Sequence, residues 1–268
     1  MFDILMLGRW LPRQVQCVWD TSTFAPTPAT EQQIEREWRK AASRTDVHLF
    51  DGALCRLEQA ARDGENLCLR ISRTSYRTFV GTNMARLRED APPEASQLAD
   101  PVGLSVALES ADGLLLLGRR NDRVFYYPGY VHPFAGALEP AEDVDVCAEA
   151  LRELKEELSL TADDVNSMSL VAIVRDAVLR QPELIFLART PFDYAEIRRR
   201  LDPAEHREVV ANSPKGLDAA LADISTWTPV AVAAAIFFGR ERLGPAWFGK
   251  TLERMGIART VTAVGWTR

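Results

Sequence analysis

The amino-acid sequence predicts an α/β fold of the α+β type, in which helices sandwich a mixed sheet and a smaller α/β lobe precedes that sheet. Two Asp-Gly pairs, at residues 63–64 and 112–113, each separate short apolar segments, which is typical of β-hairpins. A strongly amphipathic segment near residues 144–158 has helical spacing. With 268 residues, of which 47% are apolar, the chain is able to bury a sizeable core.

The first hundred residues predict the smaller lobe. A polar helix is expected near residues 30–44, opened by a Thr-x-x-Gln capping box that begins at Thr30. Two strands are expected at residues 53–59 and 66–72, and the first Asp-Gly turn joins them into a hairpin.

A polar segment at residues 89–96 contains two consecutive prolines, which disfavour a helix. It is the expected boundary between an N-terminal α/β lobe, residues 1–98, and a second domain, residues 99–268. We expect the lobe to shape a substrate pocket and the active site to lie between the two parts.

The second domain opens with two apolar segments, residues 103–108 and 113–118, which predict its first hairpin. A loop rich in glycine and proline then leads into the amphipathic helix, for which Asp143 is the expected N-cap. Two short apolar strands are expected after it, at residues 170–174 and 184–188. Candidate helix starts and ends in the remaining chain are Thr190, Thr228, Gly239 and Gly256.

Composition excludes several classes of function. The formal net charge of −6 argues against nucleic acid as the main partner, because phosphate backbones are usually bound by a basic surface. The longest apolar run, residues 230–238, is too short to span a bilayer, and no basic segment followed by an apolar export region opens the chain. We expect a cytoplasmic protein without nucleic-acid or membrane partners. The four cysteines form no C-x-x-C pair and predict free thiols.

The amphipathic helix carries an excess of carboxylates. Helical spacing puts an apolar stripe on one side and Glu149, Glu153 and Glu156 on the other, with Glu157 beside them. Like charges three or four residues apart repel, so a hard divalent cation such as Mg²⁺ or Mn²⁺ would stabilise the helix. Such a cation also neutralises a diphosphate. The alternative is that the glutamates form an ordinary solvated face.

The whole segment resembles the Nudix box, G-x5-E-x7-R-E-U-x-E-E-x-G-U, where U is aliphatic. Gly136 and Glu142 match its start, and the core Arg-Glu-Leu-x-Glu-Glu at residues 152–157 is intact. Two departures exist: nine residues, not seven, separate Glu142 from Arg152, and Ser159 replaces the last glycine. Asp143 is a possible substitute for Glu142.

This resemblance implies a metal-dependent hydrolase that attacks a diphosphate with water. It implies catalytic roles for Arg152, which would brace the loop, and for the metal-binding Glu153, Glu156 and Glu157. Gly136 and Glu208 join the expected metal site. Glu205 is an alternative to Glu208 as the acid of a later loop, and a surface location for both is the other possibility.

Three further segments, at residues 49–52, 74–83 and 98–103, resemble the Nudix UDP-glucose/UDP-galactose hydrolases. That resemblance implies a small-molecule substrate, a nucleoside diphosphate sugar, which is cleaved to UMP and a hexose 1-phosphate. The expected substrate-binding residues are Tyr76, Arg77, Thr82, Asn83, Arg119 and His132.

For these residues a structural role is the alternative. Residues 81–83 could form a helix C-terminal turn, with Tyr76 packed in the core. Arg119 and Arg120, which follow an apolar strand, could bind a phosphate or be exposed to solvent.

Two other functions stay open. A Nudix hydrolase of this kind is able to act on ADP-ribose, a dinucleotide or a nucleoside triphosphate, because the box specifies diphosphate chemistry and not the flanking groups. A Nudix-fold binding module without turnover is the second alternative: the lengthened box lends it some support, and the retained acids argue against it.

Overall fold

The computed structural model describes residues 1–21, 24–44, 49–87 and 94–258. These residues form a mixed α/β structure with two sheets. The larger sheet has eight strands and the smaller has three. The strands are β1 (Phe2–Trp10), β2 (Val15–Trp19), β3 (Ala53–Asp63), β4 (Asn66–Ser75), β5 (Gly103–Glu109), β6 (Leu115–Arg120), β7 (Val131–His132), β8 (Phe134–Ala137), β9 (Ser167–Asp176), β10 (Pro182–Arg189) and β11 (His206–Asn212). The helices are α1 (Pro28–Ala42), α2 (Tyr76–Gly81), α3 (Val146–Leu158), α4 (Tyr194–Arg200), α5 (Leu217–Ala220), α6 (Pro229–Leu243) and α7 (Pro245–Arg254).

The larger sheet has the order β1-β9-β10-β5-β6-β11. Its β10 and β5 are parallel, and the other pairs along this path are antiparallel, so the sheet is mixed as expected. The smaller sheet has the order β2-β4-β3, with β3 and β4 as the predicted hairpin.

Strands β5 and β6 diverge after a short paired section. They pair at Leu108 with Leu116 and at Glu109 with Leu115. Beyond that point β8 pairs with β5 and β7 pairs with β6. The diverging strands therefore hold residues 131–137 inside the sheet, directly before the loop that leads to α3.

Helices cover both faces of the larger sheet. Helix α3 packs on one face through residues that include Leu154 and Leu158, and the smaller sheet contributes Leu69 and Ile71 to the same core. Helix α6, which is apolar on all sides, packs on the opposite face together with α7. A helix that is apolar on all sides is buried, and residues 230–238 of α6 are all buried.

Two helix starts differ from the sequence prediction. The side chain of Thr27, not Thr30, caps α1 by accepting from the Thr30 amide at 3.2 Å. Asp145, not Asp143, caps α3 by accepting from the amides of Cys147 and Ala148. In both places two residues with a suitable oxygen lie close together, and only the backbone geometry decides between them.

The C-terminal helices differ in part as well. Thr228 caps α6 as predicted, but Asp193 and not Thr190 caps α4. Gly239 lies inside α6, where it leaves room for Trp247: a Cβ at this position would lie 2.1 Å from the Trp247 ring. Gly256, with φ +64°, follows α7 as expected.

The domain boundary stays a prediction, and residues 89–93 of the proposed linker lie outside the described residues. The first strand, β1, pairs with β9 and is part of the larger sheet. In the described part of the chain, no helix combines the length and the apolar character that crossing a bilayer requires. The cytoplasmic location stays a prediction.

Candidate active site

Helix α3 carries the acidic motif and lies against the strand that holds Gly136. Asp145 begins the helix, and Ser159 ends it in the left-handed conformation, with φ +53°. The Nudix box has glycine at this position, and glycine is the residue that most easily adopts the left-handed conformation at a helix end. Ser159 therefore adopts the helix end that the pattern requires, despite the substitution.

Two carboxylates of α3, Glu153 and Glu157, are buried. They are one turn apart and 7% and 3% exposed. Glu153 lies against Gly136, where a Cβ would lie 2.0 Å from its Oε1 atom, so a side chain at position 136 would displace this carboxylate. Glu157 accepts a hydrogen bond from the Ala135 amide at 3.4 Å through Oε1. The motif thus aims its carboxylates at residues 135–136.

Burial also changes the protonation of both groups. It raises the pKa of Glu153 to about 7; Arg152 opposes this shift and Glu156 adds to it. Burial raises the pKa of Glu157 well above its usual range, and the nearby carboxylates of Glu205 and Glu153 raise it further. Two negative charges buried this close together are unfavourable when no cation is bound. The raised pKa values therefore favour the protonated form of these carboxyl groups.

The other carboxylates of the helix lie on its exposed flank. Arg152 forms ion pairs with Glu149 at 2.9 Å and Glu156 at 2.7 Å, and it also contacts Glu153. The Glu156 side chain is 58% exposed. The predicted cluster is therefore divided: Glu153 and Glu157 face the sheet, whereas Arg152 engages acids of its own helix.

The buried pair fits a hard divalent cation. Mg²⁺ prefers oxygen ligands and keeps several waters, so one or two carboxylates are enough to hold it. Within the described residues, the buried Oε2 atom of Glu157 has no hydrogen-bond partner, as expected for a ligand atom. In the same part of the chain, no group of three or more His, Cys, Asp or Glu side chains is arranged to hold a metal. The pair would leave the remaining coordination positions to water and substrate.

Strand β11 brings a further acid to this place. Glu205, just before β11, is close enough to Glu157 and Glu153 to raise the pKa of both carboxyl groups. Glu208, the acid favoured from the sequence, is 55% exposed and forms an ion pair with Arg119. The structure therefore brings Glu205, and not Glu208, to the buried pair.

His206 lies beside Glu205 and is 1% exposed. Its Nδ1 atom is 3.9 Å from Oε2 of Glu157. Burial, with a smaller contribution from Arg120, lowers the pKa of His206 to about 4. The imidazole is therefore neutral at neutral pH.

A cavity of about 700 Å³ is lined by Glu205, the acid next to the buried pair, and not by Glu153 or Glu157 themselves. Glu205 and Arg120 line it on one side, and Gly52 and Tyr76 line it from the N-terminal part of the chain. Aromatic rings of residues 125 and 126 form another wall. The volume is in the range of pockets that bind small molecules.

Arg120 is the basic residue of this cavity with the most unusual surroundings. It is 8% exposed, and its guanidinium lies over the ring of Tyr126, 4.8 Å from the ring centroid. Its Nε atom is buried and has no hydrogen-bond partner among the described residues. A buried cation without a hydrogen-bonded acid is costly, so an anionic ligand is the expected partner.

Of the six residues predicted to bind substrate, Tyr76 is the one that lines this cavity within the described structure. Arg77 points to α1 instead, where it forms ion pairs with Glu31 at 3.3 Å and Glu35 at 2.7 Å. Helix α2 is short, and consecutive residues on it diverge by about 100°. Tyr76 and Arg77 therefore cannot both face the cavity.

Thr82 and Asn83 are completely buried in a hydrogen-bond network. Asn83 donates to Oδ1 of Asp100 and to the Leu179 carbonyl, both at 2.8 Å, and accepts from the Asp100 amide at 3.1 Å. Thr82 accepts from the Ala99 amide at 3.1 Å. These side chains join α2 to the start of the second domain, so their hydrogen-bonding groups are not free for a substrate.

Arg119 and His132 also have protein partners. Arg119 contacts Glu208 and the Gly129 carbonyl. His132 is 4% exposed, and its Nδ1 atom lies 2.9 Å from the Thr228 hydroxyl. Neither residue lines the cavity in the described structure.

Sequence reasoning named Arg120 and Glu205 only alongside Arg119 and Glu208, and it missed His206. Arg120 was indistinguishable from Arg119, because adjacent strand residues face opposite sides and nothing in the sequence says which side holds the cavity. Glu205 was similarly indistinguishable from Glu208. His206 left no usable signal beyond being one of three histidines in the chain.

Comparison with known proteins adds an independent line of information. No protein-family model matches the chain. "Uridine diphosphate glucose pyrophosphatase NUDT22" of Homo sapiens is 34% identical over 128 residues, which are 43% of this chain and 42% of that protein. "Nudix hydrolase 9" of Arabidopsis thaliana is 26% identical over 216 residues, 66% of this chain and 69% of that protein. The chain thus matches less than half the length of the first of these relatives.

Solved structures show a more distant similarity. The "Solution structure of the E. coli ORF135 protein" covers 55% of this chain and 94% of that chain at 23% identity, with a TM-score of 0.38. A "NUDIX hydrolase from Nitrosomonas europaea" covers 50% of this chain and 84% of that chain at 21% identity, with a TM-score of 0.34. Both scores are below 0.5, and the assignment does not depend on them. The intact motif of residues 152–157, its position against Gly136 and the sequence relatives support a place for this chain in the Nudix superfamily.

Proposed function

We propose that this protein is a metal-dependent pyrophosphohydrolase that cleaves UDP-glucose or UDP-galactose to UMP and a hexose 1-phosphate. One observation carries the proposal: the buried carboxylates of Glu153 and Glu157 lie at residues 135–136 and close to Glu205. Glu205 lines a cavity whose buried cation, Arg120, has an unpartnered Nε atom among the described residues. The name of the human relative, a uridine diphosphate glucose pyrophosphatase, supports the choice of substrate.

The residues present fit a resident Mg²⁺ or Mn²⁺ ion. Glu153 and Glu157 would hold it through their carboxylate oxygens, and Glu156 would join them only by leaving its ion pair with Arg152. When bound, the cation polarises the phosphoryl oxygens and lowers the pKa of bound water. Binding also requires both carboxylates to lose their protons, so metal affinity should rise with pH.

The protein's own groups account for the rest of the reaction. Arg120 binds the diphosphate and offsets its charge, and the aromatic walls of the cavity exclude water from the other end of the substrate. Glu205, which is exposed at the cavity, accepts the proton of the attacking water. The water oxygen forms a new bond to one phosphorus, and the bridging oxygen leaves with the other phosphate.

A substrate panel tests this proposal. The purified protein would be incubated with Mg²⁺ or Mn²⁺ and UDP-glucose, UDP-galactose, ADP-ribose, a dinucleotide or a nucleoside triphosphate, and products would be separated by ion-exchange chromatography. We expect preferred release of UMP from the UDP-hexoses, and far slower release by the Glu157→Gln variant. Preference for an adenine compound would contradict the substrate and leave the chemistry intact. Nucleotide binding without turnover of any compound would favour a binding module instead.

A further inference from the structure

His206 is buried in a way that the proposed function does not use. Its side chain is 1% exposed, and within the described residues neither ring nitrogen has a hydrogen-bond partner. Burying a polar group without a partner is unfavourable, so a buried imidazole normally has at least one hydrogen bond. His132, the other buried histidine described, follows this rule through Thr228.

The carboxylate next to His206 has the complementary property. Oε2 of Glu157 is 3.9 Å from Nδ1 of His206, and it also has no hydrogen-bond partner among the described residues. The second oxygen, Oε1, accepts from the Ala135 amide at 3.4 Å. A potential donor and an unused acceptor therefore lie next to each other, just beyond hydrogen-bond distance.

Neighbouring residues are arranged to hold the imidazole in this place. Gly118 on β6 lies beneath the ring, and a Cβ at that position would be 2.1 Å from Cδ2 of His206. The ring of Phe134 meets the imidazole edge-on, with centroids 5.6 Å apart. Residue 118 must be glycine if His206 is to occupy this position. The position of the ring therefore depends on β6 and on Phe134 as well as on its own strand, β11.

We propose that His206 is a positioning residue, whose Nδ1–H group donates a hydrogen bond to Oε2 of Glu157 and so orients this carboxylate for binding a divalent cation. The inference rests on the proposed function, because it assumes that Glu157 is a metal ligand. Partners that hydrogen-bond to a metal ligand orient it, and their loss typically weakens metal binding about 10–100-fold.

The test measures Mn²⁺ binding without nucleotide, by electron paramagnetic resonance, in three variants of His206. Phenylalanine keeps the ring volume and removes both nitrogens. Asparagine retains an N–H donor close to the position of Nδ1, whereas glutamine retains one close to Nε2. We expect His206→Phe and His206→Gln to raise the Kd for Mn²⁺ about 10–100-fold and His206→Asn to restore most of the affinity.

A double-mutant cycle distinguishes positioning from a general structural role. If His206 acts through Glu157, His206→Phe should cause no further loss of Mn²⁺ affinity when Glu157 is already replaced by Gln. His132→Phe is the matched control: it removes the hydrogen bond to Thr228, so the melting temperature should fall while the Kd for Mn²⁺ stays that of the parent.

Several results would overturn the inference. They are an unchanged Kd in His206→Phe, multiplying effects of His206→Phe and Glu157→Gln, or equal losses in the Asn and Gln variants of His206 at parental melting temperature. If His206→Phe does not fold, the comparison of Asn with Gln decides. A parent protein that binds no Mn²⁺ would overturn both this inference and the proposed function. A parent that binds Mn²⁺ but hydrolyses nothing would overturn only the function.

Discussion

Two buried polar clusters of this protein differ in how their hydrogen bonds are satisfied. The junction cluster consists of Thr82, Asn83 and Asp100 with the Leu179 carbonyl, and its hydrogen bonds are 2.8–3.2 Å long. The site cluster consists of Arg120, Glu153, Glu157 and His206. There the Nε atom of Arg120, Oε2 of Glu157 and both nitrogens of His206 have no hydrogen-bond partner among the described residues.

The difference distinguishes buried polar groups that stabilise the fold from buried polar groups that are available to a ligand. Sequence resemblance predicted binding roles in both regions: the Nudix box predicted one for Glu157, and the segments that resemble the UDP-hexose hydrolases predicted one for Asn83. A buried polar group is stable only if something satisfies it, and in the junction cluster the protein does so itself. In the site cluster, the proposed function leaves this to a cation, a diphosphate or a rearranged neighbour. Four experiments test this distinction.

The largest effect is expected from removing charge in the site cluster. Glu157→Gln or Glu153→Gln should lower kcat/KM for the hydrolysed diphosphate by about 10²–10⁴-fold, the range for loss of a group that acts directly on the reaction. The metal-free variants should melt at the same temperature as the parent or higher, because burial disfavours an ionised carboxylate and glutamine carries no charge. Steady-state kinetics and calorimetry measure the two effects. A strongly lowered melting temperature would mean that these acids are structural.

Glu183 on β10 is an intermediate case and predicts a pH dependence. Burial raises its pKa to about 8, although the Ser105 hydroxyl donates to it at 3.0 Å and opposes the shift. Because the folded pKa exceeds the unfolded one, the stability from the protonated form is present at pH 4 and is lost as the pH rises through 8. Glu183→Gln should remove this loss, which amounts to several kcal/mol.

Urea unfolding of Glu183→Gln and the parent at several pH values measures the effect. The difference in the free energy of unfolding should be small at pH 5 and widen up to pH 8, with the variant the more stable. A constant difference across this range would show that Glu183 stays ionised in the folded protein.

Breaking the junction cluster should affect stability and not chemistry. Asn83→Leu leaves Oδ1 and the amide of Asp100 and the Leu179 carbonyl without their partner, at about 1–3 kcal/mol for each unsatisfied group. We expect a loss of about 3 kcal/mol or more in urea unfolding, with kcat and KM of the remaining folded protein unchanged. A raised KM at parental stability would instead support the substrate-binding role predicted from the sequence.

The smallest effect concerns the two consecutive arginines. Arg120→Met should raise KM about 10–100-fold, because hydrogen bonds to charged groups contribute roughly 1.5–3 kcal/mol each. Arg119→Met is the matched control: it removes an exposed ion pair with Glu208 and should change KM little. Pyrophosphate binding measured by calorimetry gives the same comparison without turnover. If both variants behave alike, the buried guanidinium has no special role.

Local features were predictable to within a few residues. Both hairpins were predicted by their Asp-Gly turns, and Gly64 and Gly113 have the positive φ angles that such turns require. The helix α3 and its end near Leu158 were predicted as well. The caps at Thr27 and Asp145 were missed by two or three residues, because Thr30 and Asp143 offer the same oxygen chemistry nearby.

Long-range features were not predictable. Strand β1 pairs with β9, about 170 residues later, and nothing in either segment specifies this partner. Helical spacing also grouped Glu149 with Glu153 and Glu156, whereas packing groups Glu153 with Glu157. The side of α3 that becomes buried depends on where the Gly136 strand lies, and that is set by the divergence of β5 and β6.

By itself, the sequence determined that this chain has an acidic helix with Nudix spacing, because helix geometry depends only on residues a turn or two apart. The tertiary structure decided which carboxylates lose contact with water, which arginine faces the cavity, and that Thr82 and Asn83 form hydrogen bonds within the protein. Those outcomes depend on segments that are distant in the chain and meet only when it folds, so no local pattern contains them.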